Sequence, residues 1–245
     1  MINPYFRRLT LLTGSEAAVA LEKSRVIVFG LGGVGSWCAE ALVRSGVGDI
    51  SLVDADRVCA SNVNRQAQAS SETIGRYKAE ALEERLLQIN PSCRIKAFPL
   101  AFSKDTAGLF GIPGANFVID AIDTLPFKLD LIEASVASGS VSGSASGRRF
   151  FSSMGMAQKL DPTLLRTADI WETSGCPLAR LVRQGLKKRN FNGHFTVVYS
   201  PERLTLRETP LEKREMGSSV TVTAAAGMAL ASLVLRAVIG DCNRE

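Results

Sequence analysis

The apolar run Arg25-Val26-Ile27-Val28-Phe29 breaks directly into a glycine-rich turn, Gly30-Leu31-Gly32-Gly33-Val34-Gly35, and Asp54 closes the next apolar run, Ile50-Ser51-Leu52-Val53. This pattern fixes a strand, a tight turn and the start of a helix in one order. Gly30, Gly32 and Gly35 permit the turn, a close approach of backbone to phosphate and close helix packing, with Gly33 beside them. The helix N-terminus then offers free N–H groups to an anion. An acid about twenty residues further on suits a ribose hydroxyl. Together they specify what is bound, a nucleotide, and leave open what is done with it.

Further along, apolar runs alternate with amphipathic stretches. Strands are expected near 25–29, 49–53, 94–98 and 116–120, and helices from Val34 to about Ser45, from about Glu72 to Gln88 and from about Leu125 to Ala137. Continuous apolar strands separated by helices mean a mostly parallel, doubly wound α/β sheet of Rossmann type, covered on both faces. Residues 1–140 then form the nucleotide-binding part, and 141–245 a C-terminal extension of the same sheet. In that extension Ser138 to Gly147 is rich in serine and glycine. Thr196 to Ser200 and Arg203 to Arg207 read as an antiparallel hairpin. The apolar run from Ser218 to Ile239 is long enough to cross a bilayer, but its serines, threonines and alanines favour a buried helix at a domain or dimer core.

At 245 residues the chain can bury a core without disulfide staples, and its five cysteines are scattered, with no C-x-x-C pair and a single histidine, His194. A structural zinc site is not expected. Free cysteines, and no basic-then-apolar leader at Met1, predict a cytoplasmic protein. The formal charge of +5 is mild, but Arg180, Arg183, Lys187, Lys188 and Arg189 crowd one segment. Helical spacing brings Arg180, Arg183 and Lys187 to one face, which is either a solvated surface or a track for nucleic-acid phosphates.

Polar residues at fixed stations separate this chain from a dehydrogenase, which needs only the nucleotide fingerprint and a hydride geometry. Asp56, Asn62, Arg65 and Gln66 follow Asp54; Lys78 opens the next helix; Asp120 and Asp123 end the fourth strand. In a doubly wound sheet these converge on the crevice beyond the carboxyl ends of the strands. Arginine, lysine and aspartate around a phosphate site suit nucleotidyl transfer, with cations on the phosphates and a carboxylate for Mg²⁺.

The set G-x-G-G-V-G, D-x-D, N-x-x-R-Q, the helix lysine and D-x-x-D resembles the adenylating family of molybdopterin- and thiamine-biosynthesis activators and ubiquitin-activating enzymes. The resemblance covers residues 1 to about 140. It implies that Asp54 binds the ATP ribose, that Arg65 and Lys78 hold the phosphates, and that Asp123 holds Mg²⁺. It also implies a homodimer in which an N-terminal arginine, Arg8 with Arg7 as the alternative, reaches the partner's site. Two C-x-x-C zinc pairs, usual in sulfur-carrier activators, are missing, and there is no length for a catalytic-cysteine domain. Val34 to Gly48, Asn62 to Gln66, Asp161-Pro162-Thr163 and Pro177-Leu178-Ala179 are similar to the tRNA threonylcarbamoyladenosine dehydratase branch. That likeness implies a tRNA substrate held by the basic segment and adenylation of its threonine carboxylate. It leaves room for a sulfur-transfer partner of the cysteine desulfurase type. Activation of a ubiquitin-like sulfur carrier is the second reading; a NAD-dependent oxidoreductase and a non-catalytic nucleotide sensor come after it. Some members carry a cysteine before the terminal helix, where this chain has Glu212 to Ser219.

Overall fold

The structure, a computed structural model, describes residues 3–136, 149–203 and 216–242. Seven strands form one sheet in the order β3-β2-β1-β4-β5-β7-β6. They are β1 (Arg25–Phe29), β2 (Asp49–Val53), β3 (Arg94–Phe98), β4 (Phe117–Asp120), β5 (Arg149–Ser153), β6 (Arg166–Asp169) and β7 (Thr196–Tyr199). All neighbours are parallel except β6, which runs antiparallel to β7 with Arg166 opposite Tyr199. Strand order turns back between β1 and β4, and that switch point opens the crevice at their carboxyl ends.

The central strands are apolar throughout because both faces are covered. Val26, Val28, Ile50 and Leu52 pack under α2 (Ser15–Lys23), α3 (Gly35–Arg44), α4 (Lys78–Ile89) and α7 (Val220–Cys242). Ile27, Phe29 and Val53 point the other way, toward α5 (Leu125–Ser135) and α6 (Pro177–Lys188). The period-two alternation of a strand delivers one set to each layer. Glu40 of α3, almost fully buried, ties that layer together through Arg44 at 2.9 Å and Arg85 of α4 at 2.6 Å. Burial works against its charge, but the two guanidiniums outweigh it and hold the carboxyl below the usual range.

The expected parallel α/β sheet with an antiparallel pair and a terminal apolar helix is found, with three local differences. The helix expected from about Glu72 begins at Lys78, because residues 72–77 form a turn that closes on Gly75 in the left-handed region, φ +89°. The antiparallel partner of Thr196–Tyr199 is Arg166–Asp169, too polar and short to announce itself; of the hairpin arm expected at Arg203 to Arg207, residues 204–207 lie outside the described residues. The whole Ser138 to Gly147 stretch, and residues 212–215 of Glu212 to Ser219, lie outside them too. The chain also begins with a helix that the periodicity did not reveal, α1 (Arg7–Thr13), which exposes Leu11 and Leu12.

Helix α7 lays its buried face, Val222, Ala226, Leu230 and Val234, mainly on α3. The approach is close at Gly227, where a Cβ would meet the Val34 carbonyl oxygen at 2.5 Å and the Cys38 nitrogen at 2.8 Å. Small residues in this run therefore serve backbone contact, which is why its mean hydropathy is diluted by alanine and glycine.

Candidate active site

Each glycine of the turn has a separate task. Gly30, at φ +84°, lies so near β4 that a Cβ would stand 2.6 Å from the Ala121 carbonyl oxygen. At Gly35 a Cβ would come within 1.8 Å of the Gly30 carbonyl oxygen, so the turn folds onto its own helix only without a side chain. Gly33 faces Thr223 of α7, whose Cβ would stand 3.0 Å from a Cβ placed on Gly33. A Cβ on Gly32 would meet nothing within 4 Å, so this glycine presents bare backbone to the crevice. We expect Gly32→Ala to keep nearly the wild-type melting temperature yet to weaken ATP binding about tenfold or more, because the added methyl enters the phosphate cradle. Gly35→Ala should lose fold and binding together. Calorimetric melting and ATP titration on both variants separate the two effects.

Asp54 braces the turn. Its two oxygens accept the Leu31 N–H at 2.7 Å and the Asp56 N–H at 2.8 Å. Burial pushes the carboxyl up, while the Lys78 charge and those two N–H groups pull it back. Lys78, first residue of α4, is buried, and its ammonium donates to Asp56 Oδ2 at 2.8 Å. Arg65 lies on the cavity wall with Nη1 donating to the Ser61 carbonyl at 2.8 Å and to Asn64 Oδ1 at 2.9 Å. Trp37 Nε1 donates to the Arg65 carbonyl at 2.9 Å and fixes this turn to α3. Buried Asn62 accepts the Cys59 N–H at 3.1 Å and so shapes the turn leading to Arg65. Gln66 is buried at the cavity wall, and its Oε1 has no hydrogen-bond partner in the structure. The bare backbone at Gly32 and the cations Arg65 and Lys78 together fit the phosphates of a nucleoside triphosphate.

Asp123 stands exposed at the cavity rim, and its described contact is the Thr124 hydroxyl at 3.3 Å. It does not cap the following helix: Thr124 is the N-cap, without a side-chain cap bond. Asp120, only three residues earlier, is occupied elsewhere. It is fully buried, accepts Lys128 Nζ at 2.7 Å and the Ser152 hydroxyl at 2.7 Å through Oδ2, and accepts the Ile122 N–H at 3.0 Å through Oδ1. Lys128 is likewise fully buried, and its ammonium lies 3.3 Å from Ser152 Oγ. This charge pair joins β4, β5 and α5 and holds the main chain that leads to Asp123. Lys128 and Ser152 escaped the sequence reading; the one signal was a lone cation among the apolar residues Leu125, Leu129, Leu131 and Ile132.

One continuous cavity of about 1170 Å³ collects Gly30, Gly32, Gly33, Asp54, Asp56, Asn62, Arg65, Gln66, Lys78 and Asp123. It runs on past them to Met154, Met156, Lys159, Leu178, Arg180 and Arg183. Gly35 lies beneath it. Arg8 is exposed on α1 and does not line the cavity of its own chain. The basic segment divides. Arg180 and Arg183 face the cavity, Arg183 also donating to the Thr173 hydroxyl. Lys187 and Lys188 are exposed on α6 and do not line it. Arg189 is half-buried and already paired within the chain, its Nη1 lying 2.7 Å from both Asp130 Oδ1 and Glu133 Oε2.

The ThiF family model matches residues 5–244. A tRNA threonylcarbamoyladenosine dehydratase of Bacillus subtilis is 38% identical over 87% of this chain and 80% of its own length. That of Escherichia coli is 32% identical over 96% and 93%. The structure of the E. coli tRNA N6-threonylcarbamoyladenosine dehydratase in complex with ATP superimposes with a TM-score of 0.83 at 32% identity, covering 98% of this chain and 96% of the other. Sulfur carrier adenylyltransferase of Thermus thermophilus is 33% identical, but over only 56% of this chain. Likeness that continues through the second half, where the cavity also continues, places the chain in the ThiF family, on the branch of the tRNA threonylcarbamoyladenosine dehydratases.

Proposed function

We propose that the chain uses ATP to close the threonyl group of N6-threonylcarbamoyladenosine in tRNA into a ring, with loss of water. The observation that carries this reading is the single cavity joining the nucleotide residues to Arg180 and Arg183 of the basic helix. A carboxylate is a poor acylating group because oxide leaves badly. Its oxygen attacks the α-phosphorus of ATP, pyrophosphate departs, and the acyl-adenylate that results is reactive. The urea of the same substituent then attacks the activated carbonyl and AMP leaves. High effective molarity makes an enzymic nucleophile unnecessary.

Lys78 and Arg65 take up the charge that develops on the phosphate, and Asp54 receives the ribose. Asp123 is the carboxylate that would hold Mg²⁺, consistent with its exposed place at the rim; such an ion shares phosphate charge and is held by one or two carboxylates together with the phosphates themselves. The protein works as a homodimer in which Arg8 of one protomer completes the site of the other, and exposed Leu11 and Leu12 on the same helix supply apolar area for that contact. This arrangement predicts that Arg8→Ala and Asp123→Ala are each inactive alone, and that activity returns when the two are mixed and allowed to exchange subunits. No recovery in mixed dimers would exclude a shared site.

Incubation with ATP and either threonylcarbamoyl-modified tRNA or a ubiquitin-like carrier ending in Gly-Gly tests the whole reading. AMP and a dehydrated nucleoside are expected with the tRNA. AMP with the carrier alone would transfer the chain to sulfur-carrier activation.

A further inference from the structure

Beyond the nucleotide residues the cavity lining continues along the segment that leaves β5. Met154, Met156 and Leu178 make it apolar here. Lys159 stands on this wall and is only 5% exposed. Among the described residues, its ammonium has one hydrogen-bond partner, the Glu202 carbonyl oxygen at 2.8 Å. The carboxylate of Glu202 does not answer that charge. It is taken by the Leu160 N–H at 3.0 Å and the Asp161 N–H at 3.1 Å.

A buried ammonium that meets only a carbonyl dipole among the described residues is an unfavourable arrangement, and an anion relieves it. The chain also holds Lys159 in place under strain. Gln158, a non-glycine residue, sits in the left-handed region at φ +55°, and its N–H donates to the Gly217 carbonyl at 2.8 Å. Strained backbone of this kind persists where surrounding structure enforces it and gathers at ligand clamps. Arg183, fixed by the Thr173 hydroxyl, adds a second cation to the lining of the same cavity. The cavity volume of 1170 Å³ exceeds the roughly 300–1000 Å³ typical of a site for one small ligand, so there is room for a second group beside the nucleotide.

We infer that Lys159, with Arg183, forms an anion subsite for the RNA-borne substrate: the apolar lining takes the modified base, and the two cations take an anionic oxygen group next to it. This rests on the function proposed above. Two groups share that chemistry, the threonine carboxylate and a flanking phosphodiester.

The test uses the full chain with Lys159→Gln, which keeps a donor for the Glu202 carbonyl but removes the charge. Dissociation constants are measured for threonylcarbamoyl-modified tRNA, for the same tRNA unmodified, and for ATP as a check on the nucleotide residues. A loss of tenfold or more in affinity for modified tRNA is expected, with ATP affinity kept. Loss confined to the modified tRNA identifies the carboxylate; equal loss for both identifies a phosphate. Wild-type affinity for both tRNAs in Lys159→Gln, or in Lys159→Met, overturns the subsite. Lys159→Arg, which keeps the charge, should bind within about threefold of wild type. If the wild-type chain yields AMP with the carrier protein and not with tRNA, the proposed function fails, and that result is distinct from a failure of Lys159.

Discussion

Lys78→Ala is expected to lower ATP-dependent AMP formation about 10²–10³-fold, the loss that follows removal of one preorganised donor from a developing oxyanion. The fold should hardly notice. Lys78 is buried, but its partner Asp56 is 71% exposed on its side chain and finds water once the ammonium is gone. The pairing thus reads as storage of a catalytic cation: Asp56 keeps the ammonium extended across the crevice, at the N-terminus of α4, until phosphate competes for it. Steady-state AMP release together with a melting curve separates the two contributions. Activity within tenfold of wild type, in a variant that melts normally, would remove Lys78 from the phosphate site.

Lys128→Met should act in the opposite way, on stability first. Both members of the Asp120–Lys128 pair are fully buried, so deleting the cation leaves a carboxylate in the core with only the Ser152 hydroxyl and the Ile122 N–H. Breaking such a pair from one side costs about 3–5 kcal/mol. The double variant Asp120→Asn, Lys128→Met removes both charges and should recover most of that loss in denaturant unfolding. Because Asp120 also holds the Ile122 N–H, the single variant should weaken ATP turnover by shifting Asp123 even at temperatures where it stays folded. Equal stability of the single and double variants would show that the charges do not depend on each other.

The two cases also show what the chain discloses before it folds. The nucleotide turn was legible because its causes are local: six consecutive residues carry the glycines, and Asp54 lies at the end of the adjacent strand. Lys78 and Asp123 were legible because strand ends in a doubly wound sheet converge whatever the intervening loops do. The Lys128 pair was not, since it depends on β5, whose sequence Arg-Phe-Phe-Ser-Ser gives little alternation, arriving beside β4. Lys159 was hidden for a related reason. It sits in an irregular segment, and its described partner, Glu202, lies some forty residues on, so neither period nor spacing marks it. The pairing of Arg189 was hidden too, because charge density does not reveal direction: Asp130 and Glu133, on α5, draw it to themselves.

The packing of α7 on the glycine turn bears on how the protein is made. Gly227 touches the backbone of Val34 and Cys38, and Thr223 stands against Gly33, so α7 is the buttress of a turn that precedes it by most of the described chain. A ribosome delivers every nucleotide-binding motif before it delivers that buttress. The N-terminal half on its own is therefore expected to grip ATP weakly, and firm binding to follow once α7 has been made and has packed on the turn.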